Sequence, residues 1–358
     1  MKERSLFVFR RSSRAGRVGL GVLLGLTTAV LALDGPAGTP EKKWASLEEG
    51  GLVTALAIDP GSPSRVYAAS ARALFSSTDD GLTWTSLPHG LPGHSVVSLA
   101  VDPGPPSVLY VGTNAGGLLR GTVGEKKWTR LDVGLESVFV SAIALDPGSS
   151  GGLYVGTNRG VFKSVDGGAH WQEKNTGLSN IYVTCLAVDP RNPSVVYAGT
   201  NSGGIFRSAD GTSTWTAANA GLTNGVIWSL AFSAESPSAL YAATYDGLFR
   251  SSPPGAAWTT LSRGMRSTFV LSFAADPSST TLYAGTAADL YRSRDSGATW
   301  ESASHGLTNS FVSVLAIHPK DRRTLYAGTN CGVFKTTDGG RHWAPVRLVA
   351  PDAAPRSE

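Results

Sequence analysis

The sequence is poor in the side chains that carry most redox and metal chemistry. It contains 2 cysteines and 6 histidines in 358 residues. The histidines lack the spacing of metal ligands, so we expect no metal site. A cysteine nucleophile needs a neighbouring group that activates the thiol, and the sequence indicates no such partner. No glycine-rich loop leads from a strand into a helix, so we expect neither a bound nucleotide nor another cofactor.

Long hydrophobic runs are also scarce, and the clearest one lies near the start of the chain. Basic residues between Lys2 and Arg17 precede an apolar run from Val18 to Leu33, which is the pattern of a secretory signal. This run has 16 residues, fewer than the roughly 20 that cross a bilayer as a helix. Residues 1–33 are therefore predicted to be a signal peptide, with an N-terminal membrane anchor as the alternative. Both interpretations place the rest of the chain in the periplasm or outside the cell.

The positive charge of the chain is concentrated in this segment. Residues 1–33 hold six basic residues and one acidic residue, so the net charge of +4 becomes −1 without them. The sequence therefore does not indicate a basic surface for nucleic acid. Residues 34–43 begin with a stretch rich in glycine and proline and are predicted to be a linker. Residues 350–358 are predicted to be a disordered tail.

The remaining composition is typical of a folded β protein. Hydrophobic residues make up 41% and charged residues 16% of the chain, which fits a globular rather than a disordered protein. The 43 glycines and 20 prolines suit many short strands joined by tight turns. No stretch shows a long 3.6-residue hydrophobic period, so helices are not expected.

An eight-residue frame returns along the chain at nearly constant intervals. Its clearest copy, Ser293 to Trp300, reads Ser-x-Asp-x-Gly-x-Thr-Trp. A spacing of 42 to 44 residues separates successive tryptophans of the series Trp84, Trp128, Trp171, Trp215, Trp258, Trp300 and Trp343. A period of this size predicts an array built from one supersecondary unit.

The frame has the chemistry of a turn between two strands. Its Asp accepts backbone N–H groups of the same turn, its Gly adopts a conformation that other residues avoid, and its Trp buries a large ring against the neighbouring unit. A catalytic role is disfavoured because one acid per unit, spread around an array, does not converge on one site. The residues given this structural role are Asp79, Asp166, Asp210, Asp295, Asp338, Trp84, Trp171, Trp215, Trp300 and Trp343.

Each full unit contains four strand-like pieces, and seven units follow one another. The sequence therefore predicts an all-β, seven-bladed β-propeller of four-stranded antiparallel blades over residues 44–349. We expect it to be a monomer. The array begins with the tail of a unit, so the segments at Trp44 and Trp343 both offer a fourth strand for the last blade. The sequence leaves open which of them closes the ring.

The frame is similar to the Asp-box, or BNR repeat. Together with the Tyr-Ala-Gly-Thr and Gly-x-Phe strands of the same unit, it makes the chain resemble the photosystem II stability/assembly-factor-like propellers. More distantly, the chain resembles the sortilin-type and xyloglucanase propellers. The resemblance covers roughly residues 44–349 and implies a structural Asp-box. It is specific for the fold and not for activity, because these families include scaffolds, receptors and hydrolases.

Antiparallel strands a to d place the connections of each blade alternately on two faces. The a–b and c–d turns share one face. The b–c and d–a connections share the other, vary most between units, and are where a repeat scaffold accommodates function. Aromatic and arginine side chains there suit a peptide or carbohydrate ligand, and the same side chains also suit packing between blades. The candidate binding residues are Phe139, Tyr182, Tyr245, Arg159, Arg266, Phe269 and Phe311.

A glycoside hydrolase is the alternative function. The stretch from Tyr241 to Arg250 resembles the xyloglucanase segment that bears a catalytic Asp, and this places the acid near Asp246. Glycoside hydrolysis needs two carboxyl groups across one cleft, and Asp289 and Glu136 are the candidate partners. Xyloglucanases build this cleft from two tandem propellers, whereas the sequence here forms one array. The sequence gives even less support to a sialidase-like activity, because the Arg-Ile-Pro motif typical of sialidases is missing.

The sequence thus favours an exported, non-enzymatic module for protein binding or assembly, similar to the photosystem II stability/assembly-factor-like proteins. The expected partner is a protein or a complex at the membrane surface, with carbohydrate as a further ligand class. Enzymatic activity is the less favoured interpretation.

Overall fold

The structure is a computed structural model of the chain. It describes residues 51–71, 73–87, 94–122, 127–131, 133–135, 138–233, 239–276, 278–308 and 311–348. The predicted signal segment, linker and tail, and the residues Trp44 and Glu136, lie outside the described residues, so those assignments stay predictions.

The described residues form seven sheets, each with four consecutive antiparallel strands. Blade one contains β1 (Val53–Ile58), β2 (Val66–Ser70), β3 (Leu74–Ser77) and β4 (Thr83–Ser86). Blade two contains β5 (Val96–Asp102), β6 (Val108–Thr113), β7 (Leu118–Thr122) and β8 (Trp128–Arg130). Blade three contains β9 (Val140–Leu145), β10 (Leu153–Thr157), β11 (Gly160–Ser164) and β12 (Gln172–Glu173). Blade four contains β13 (Val183–Val188), β14 (Val196–Thr200), β15 (Ile205–Ser208) and β16 (Thr216–Ala217).

The remaining blades repeat this order. Blade five contains β17 (Ile227–Phe232), β18 (Leu240–Thr244), β19 (Gly247–Ser251) and β20 (Trp258–Thr260). Blade six contains β21 (Val270–Ala275), β22 (Leu282–Thr286), β23 (Leu290–Ser293) and β24 (Glu301–Ser302). Blade seven contains β25 (Val312–Ile317), β26 (Leu325–Thr329), β27 (Gly332–Thr336) and β28 (Ala344–Pro345), and β29 (Arg347–Leu348) follows it. The predicted all-β, seven-bladed propeller is confirmed. The described part of the chain contains no helix able to span a membrane.

The second strand of each blade lies in the middle of the packing between blades, and small residues allow the neighbouring blade to approach it. In blade three every residue of β10 is buried, and a Cβ added at Gly156 would stand 2.6 Å from Val183 Cγ1 of the next blade. The same relation joins Gly328 of blade seven to Val53 of blade one, again at 2.6 Å. A larger residue at either glycine would force the two blades apart.

Hydroxyl groups join the first strands of successive blades. Ser98 Oγ donates a hydrogen bond to Val140 O at 2.8 Å, and Ser141 Oγ donates to Val183 O at 2.5 Å. The same bond is donated by Thr54 to Val96, by Thr184 to Ile227, by Ser272 to Val312 and by Ser313 to Val53. Each first strand has a β-bulge or irregularity beside the accepting residue. The ladder is interrupted there, so the hydroxyl of the preceding blade supplies the donor that the carbonyl needs.

The last blade packs on the first blade through the same hydroxyl contact that joins most other pairs of first strands. Ser313 Oγ donates to Val53 O at 2.6 Å. The fourth strand of blade seven is β28, directly after Trp343. Trp343 rather than Trp44 therefore leads this strand, which answers the question that the sequence left open.

The strand β29 continues onto blade one. It pairs in parallel with β4, with Leu348 opposite Trp84. In blade four the equivalent edge is paired in the same way, because Trp215 N donates to Thr176 O at 2.9 Å. Leu348 and Thr176 each lie five positions after the tryptophan of their own blade. β29 thus occupies the place that a d–a connection occupies elsewhere in the ring.

Candidate functional site

The connections between strands lie on two faces of the ring, as the antiparallel order requires. On one face, which we call the turn face, a–b and c–d turns bond to each other, for example from Asp80 N to Ser64 O at 2.9 Å. On the other face, which we call the variable face, b–c turns bond to the ends of d–a connections, for example from Asn114 N to Ser95 O at 3.0 Å.

On the turn face, the carboxylate of each repeated frame is occupied by its own turn. In blade six Asp295 Oδ1 accepts Ser293 Oγ at 2.7 Å and Thr299 N at 2.9 Å, and Asp295 Oδ2 accepts Thr299 Oγ1 at 2.6 Å. These bonds, led by the one from the Thr299 hydroxyl, lower the pKa of Asp295 to about 2. The carboxylates of Asp79, Asp166, Asp210 and Asp338 make the corresponding bonds. Acids bound in this way are poorly placed to exchange protons with a substrate.

Histidine replaces the threonine in two of these turns. His170 Nδ1 lies 2.7 Å from Asp166 Oδ2, and His342 Nδ1 lies 2.7 Å from Asp338 Oδ2. The bonds from His170 to Asp166 are the main reason why the pKa of Asp166 lies well below its usual range. No group of three side chains suited to a metal ion occurs among the described residues.

The tryptophans that end the frames hold each blade to the one before it. Trp215 Nε1 donates to Lys174 O at 2.7 Å. Equivalent bonds are donated by Trp171 to Leu131, by Trp258 to Ala218, by Trp300 to Leu261 and by Trp343 to Ala303. Trp84 differs, because its Nε1 donates to Gly81 O of its own turn at 3.0 Å. The sequence did not indicate this exception.

On the variable face, asparagines at the start of the b–c turns hold the entry to the first strand. Asn158 Oδ1 accepts Phe139 N at 3.0 Å, and Asn114 Oδ1 accepts Ser95 N at 3.0 Å. The predicted binding residues Phe139 and Tyr182 lie at successive entries, with their ring centroids 6.3 Å apart. Both rings are half-buried.

Blade five replaces this asparagine with Tyr245, and an aromatic patch forms there. The Tyr245 and Phe269 ring centroids are 4.7 Å apart, and Phe269 lies 5.7 Å from the Trp228 ring. Tyr245 remains 54% exposed. The structure thus brings together two of the predicted binding residues. The sequence analysis did not identify Trp228 as a binding residue. Trp228 aligns with the hydroxyl residues Ser141 and Thr184 of other blades, so a large ring at this position was the signal that could have identified it.

The other predicted binding residues lie elsewhere around the variable face. Arg159 is exposed, and its backbone N donates to Thr157 Oγ1 at 3.0 Å. Arg266 is exposed, and its backbone N donates to Tyr291 Oη at 3.0 Å. Phe311 is half-buried just before β25. A shallow depression of about 180 Å³ also opens on this face, lined by Ser202, Gly203, Asn219, Thr223, Asn224 and Gly225.

The carboxylates considered for hydrolysis differ in their surroundings. Asp289 Oδ1 accepts Leu290 N at 2.9 Å and Ser302 Oγ at 3.1 Å, and also accepts the hydroxyl of Ser304. Asp289 is therefore committed to its own loop. Asp246 is exposed beside Tyr245, and among the described residues its carboxylate accepts no hydrogen bond. Glu136 lies outside the described residues, so the pairing needed for hydrolysis is not observed.

Comparison with solved structures gives the same fold in proteins of different function. The xyloglucanase of glycoside hydrolase family GH74 from Xanthomonas campestris superposes with a TM-score of 0.70 at 19% identity, over 83% of this chain and 55% of that chain. The Niastella koreensis GH74 enzyme gives 0.69 at 18% identity, over 84% and 55%. The present chain therefore spans about half the length of these enzymes.

A second group of neighbours matches over nearly its whole length. YCF48 from Cyanidioschyzon merolae superposes with a TM-score of 0.59 at 15% identity, over 83% of this chain and 98% of that chain. YCF48 bound to D1 peptide gives 0.62 at 18% identity, over 81% and 94%. At these identities the likeness shows the fold. No protein-family model and no curated protein matches the sequence.

Proposed function

We propose that this chain is an exported, non-enzymatic module that binds a segment of a partner protein on its variable face. The observation that carries this proposal is the patch formed by Trp228, Tyr245 and Phe269. Tyr245 is exposed although it packs on Phe269, and aromatic rings held in this way are common anchors in protein interfaces. The frames on the turn face, which we infer to be Asp-boxes, serve as the scaffold that holds the blades in register.

The likeness to YCF48 supports a peptide-like ligand. That protein consists almost entirely of the matched fold, and one of its structures holds D1 peptide. A chain made almost entirely of this fold thus provides a precedent for binding a peptide. For the present chain the proposed partner is a protein or complex at the membrane surface, because the N-terminal segment is predicted to direct export or anchoring. A photosystem need not be that partner.

Site-specific crosslinking tests this proposal. A photoreactive phenylalanine analogue replaces Tyr245 in the full chain, expressed in the source organism, and adducts are identified by mass spectrometry. The matched control carries the analogue at Val165, which is 64% exposed on the turn face. The proposal expects a specific polypeptide adduct from position 245 and not from position 165. No polypeptide adduct at position 245, or equal adducts at both positions, would overturn it.

A glycoside hydrolase is the second candidate, and the exposed carboxylate of Asp246 is the observation that favours it. The likeness to GH74 enzymes adds support, although it covers 55% of their length. The test incubates the purified protein with β-glucans, xyloglucan and sialosides and measures the released sugar. Release that is lost in Asp246→Asn, with the melting temperature unchanged, would establish the hydrolase. Absence of release from every substrate would reject it for these classes.

A further inference from the structure

Five a–b turns, those of blades one, two, three, four and six, have an Asp as side-chain acceptor at their first residue. In blade one Asp59 Oδ1 accepts Gly61 N at 2.9 Å and Ser62 N at 3.2 Å, and in blade six Asp276 Oδ1 accepts Ser278 N at 2.9 Å. Corresponding bonds in blades two, three and four are accepted by Asp102, Asp146 and Asp189. A carboxyl group has oxygen lone pairs that accept such bonds, so these turns do not depend on an unprotonated ring nitrogen.

Blade seven has His318 at this position. His318 Nδ1 lies 2.8 Å from Asp321 N and 3.2 Å from Lys320 N. A backbone N–H donates only to a nitrogen with a free lone pair, so Nδ1 carries no proton and Nε2 carries the hydrogen. An imidazolium ring has hydrogen on both nitrogens and accepts no bond. Protonation of His318 at Nδ1 therefore removes both hydrogen bonds of this turn. The turns that begin with Asp use a carboxylate oxygen as the acceptor and have no such ring nitrogen.

His318 also lies where the last blade meets the first. The residue is 9% exposed, and its Nε2 lies 3.6 Å from Asp80 Oδ1 of the blade-one turn. The backbone oxygen of Asp80 accepts Tyr326 Oη at 2.7 Å and Lys335 Nζ at 2.6 Å, both from blade seven. We call this set of contacts the seam. The a–b turn of blade seven and the c–d turn of blade one are therefore mechanically connected through it.

The charges around His318 act in opposite directions. Asp80 across the seam and Asp321 in the same turn favour the imidazolium, whereas Lys335 and the guanidinium of Arg322, which donates to His318 O at 3.5 Å, oppose it. Lys320 adds a further cation in the turn itself. The Asp80 side chain is 49% exposed, but its Oδ1, which faces His318, is buried and accepts no hydrogen bond from the described residues. Lys320 and Asp321 are exposed, but the His318 ring is buried, so an imidazolium there is poorly hydrated and has also lost two hydrogen bonds. These two costs oppose the attraction to Asp80.

We propose that His318 makes the seam of the ring sensitive to pH. Neutral His318 holds the a–b turn of blade seven, and this turn supports the contacts with Asp80. Protonation of Nδ1 opens the turn and loosens the contact between blades seven and one. In this proposal the contribution of His318 to stability is present while Nδ1 is free to accept the two N–H groups and is lost when Nδ1 is protonated.

Hydrogen exchange of the full chain measures this effect locally. Peptides covering residues 318–324 are compared between pH 7.5 and pH 5.0, after correction for the intrinsic pH dependence of exchange. The a–b turn of blade six, at residues 278–281, is the internal control because Asp276 is its acceptor. We expect protection at 318–324 to fall at least about tenfold relative to the control at pH 5.0, which corresponds to roughly 1.4 kcal/mol. Equal changes in both turns would overturn the proposal.

The variant His318→Asn provides the matched substitution. Its amide oxygen accepts the two backbone N–H groups at every pH and carries no charge. We expect the melting temperature of the unaltered chain to fall more than that of His318→Asn between pH 7.5 and pH 5.0. His318→Asp, which restores the acceptor of the other turns, serves if the Asn variant folds poorly. Parallel melting profiles, or a greater loss in the variant, would show that attraction to Asp80 dominates and would overturn the proposal.

Discussion

Tyr326 donates a hydrogen bond from its hydroxyl to the backbone oxygen of Asp80 at 2.7 Å, across 246 positions of sequence. The bond is one member of a set in which the tyrosine of a second strand reaches the c–d turn of the next blade. Tyr197 reaches Pro254 O at 2.9 Å, and Tyr283 reaches Gly339 O at 3.1 Å. Ring closure therefore uses the same contact that joins blades adjacent in sequence.

The first prediction concerns this set of bonds. Tyr326→Phe and Tyr197→Phe each leave a turn carbonyl short of one donor, so each should lower the free energy of unfolding by about 1 kcal/mol. Urea unfolding followed by tryptophan fluorescence measures the loss. Tyr245→Phe, at an exposed ring, is the control and should change stability little. A loss at Tyr197 without one at Tyr326 would show that the seam does not unfold together with the rest of the ring.

The second prediction concerns the repeated turn of blade six. Asp295→Ala removes the acceptor of the Ser293 hydroxyl and of both Thr299 groups, so the melting temperature should fall by roughly 2–4 °C. Asp295→Asn keeps one oxygen and should fall less. An unchanged melting temperature for the Ala variant would contradict the structural role of this residue.

The acid side of the same turn gives a third prediction. Hydrogen bonds led by that of the Thr299 hydroxyl lower the pKa of Asp295 to about 2 in the folded chain, whereas an unfolded Asp titrates near 3.9. The stability from Asp295 is therefore complete above about pH 4 and is lost as the pH falls toward 2. Melting curves of the unaltered chain and of Asp295→Asn should separate above pH 4 and converge near pH 2. A constant separation would contradict this titration.

The fourth prediction concerns the frame of blade four, Ser208 to Trp215, which keeps the Ser, Asp and Trp but has Thr212 in place of the Gly. Thr212 has φ 76°, and Gly297 occupies the equivalent place in blade six with φ 91°. A β-branched residue is strained there, so Thr212→Gly should stabilise the chain by about 1 kcal/mol. The reciprocal Gly297→Thr should destabilise it, because a Cβ would also stand 2.7 Å from Leu261 Cδ1. Destabilisation by Thr212→Gly would mean that the packing of the buried Thr outweighs the strain.

The fifth prediction distinguishes the two cysteines. Burial raises the pKa of the Cys185 thiol to about 12, although part of that residue is accessible, while Cys331 is exposed in a b–c turn. At pH 8 Ellman's reagent should therefore titrate one thiol per folded chain and two after unfolding. Cys331→Ser should abolish the reaction of the folded chain. Reaction of the folded Cys331→Ser variant would show that the inner strand of blade four opens readily.

The sequence predicted the blades well because their features repeat. The period of the tryptophans defines one unit, and the order of strand-like pieces defines an antiparallel blade. The Ser, Asp and Thr of each frame are close in sequence, so their bonds follow from local turn chemistry. The fourth strand of the last blade did not follow from the pattern, because the segments at Trp44 and Trp343 carry similar residues. Trp343 directly follows the c–d turn of blade seven, and this short turn pairs the strand after Trp343 with the third strand of the same blade.

The candidate site was less predictable because it depends on contacts between blades. Tyr245 and Phe269 are 24 residues apart, and only the ring brings them together with Trp228. Asp289 was an apparently free acid in the sequence, but the hydroxyls of Ser302 and Ser304 occupy it from the following strand and loop. His318 aligns in sequence with the Asp residues that begin other a–b turns. The sequence did not show that its ring accepts two backbone N–H groups; the structure of the turn does.

The position of β29 beside blade one indicates that the ring would tolerate circular permutation. Leu348 pairs with Trp84 as Thr176 pairs with Trp215, so residue 348 stands where the chain elsewhere crosses to the first strand of the next blade. Between blades three and four, six residues separate Thr176 from Val183. A linker of comparable length from Leu348 to Val53 would make the seam covalent. New termini could then be placed in another d–a connection. The resulting circular permutant would have its blades in a different sequence order but in the same spatial arrangement.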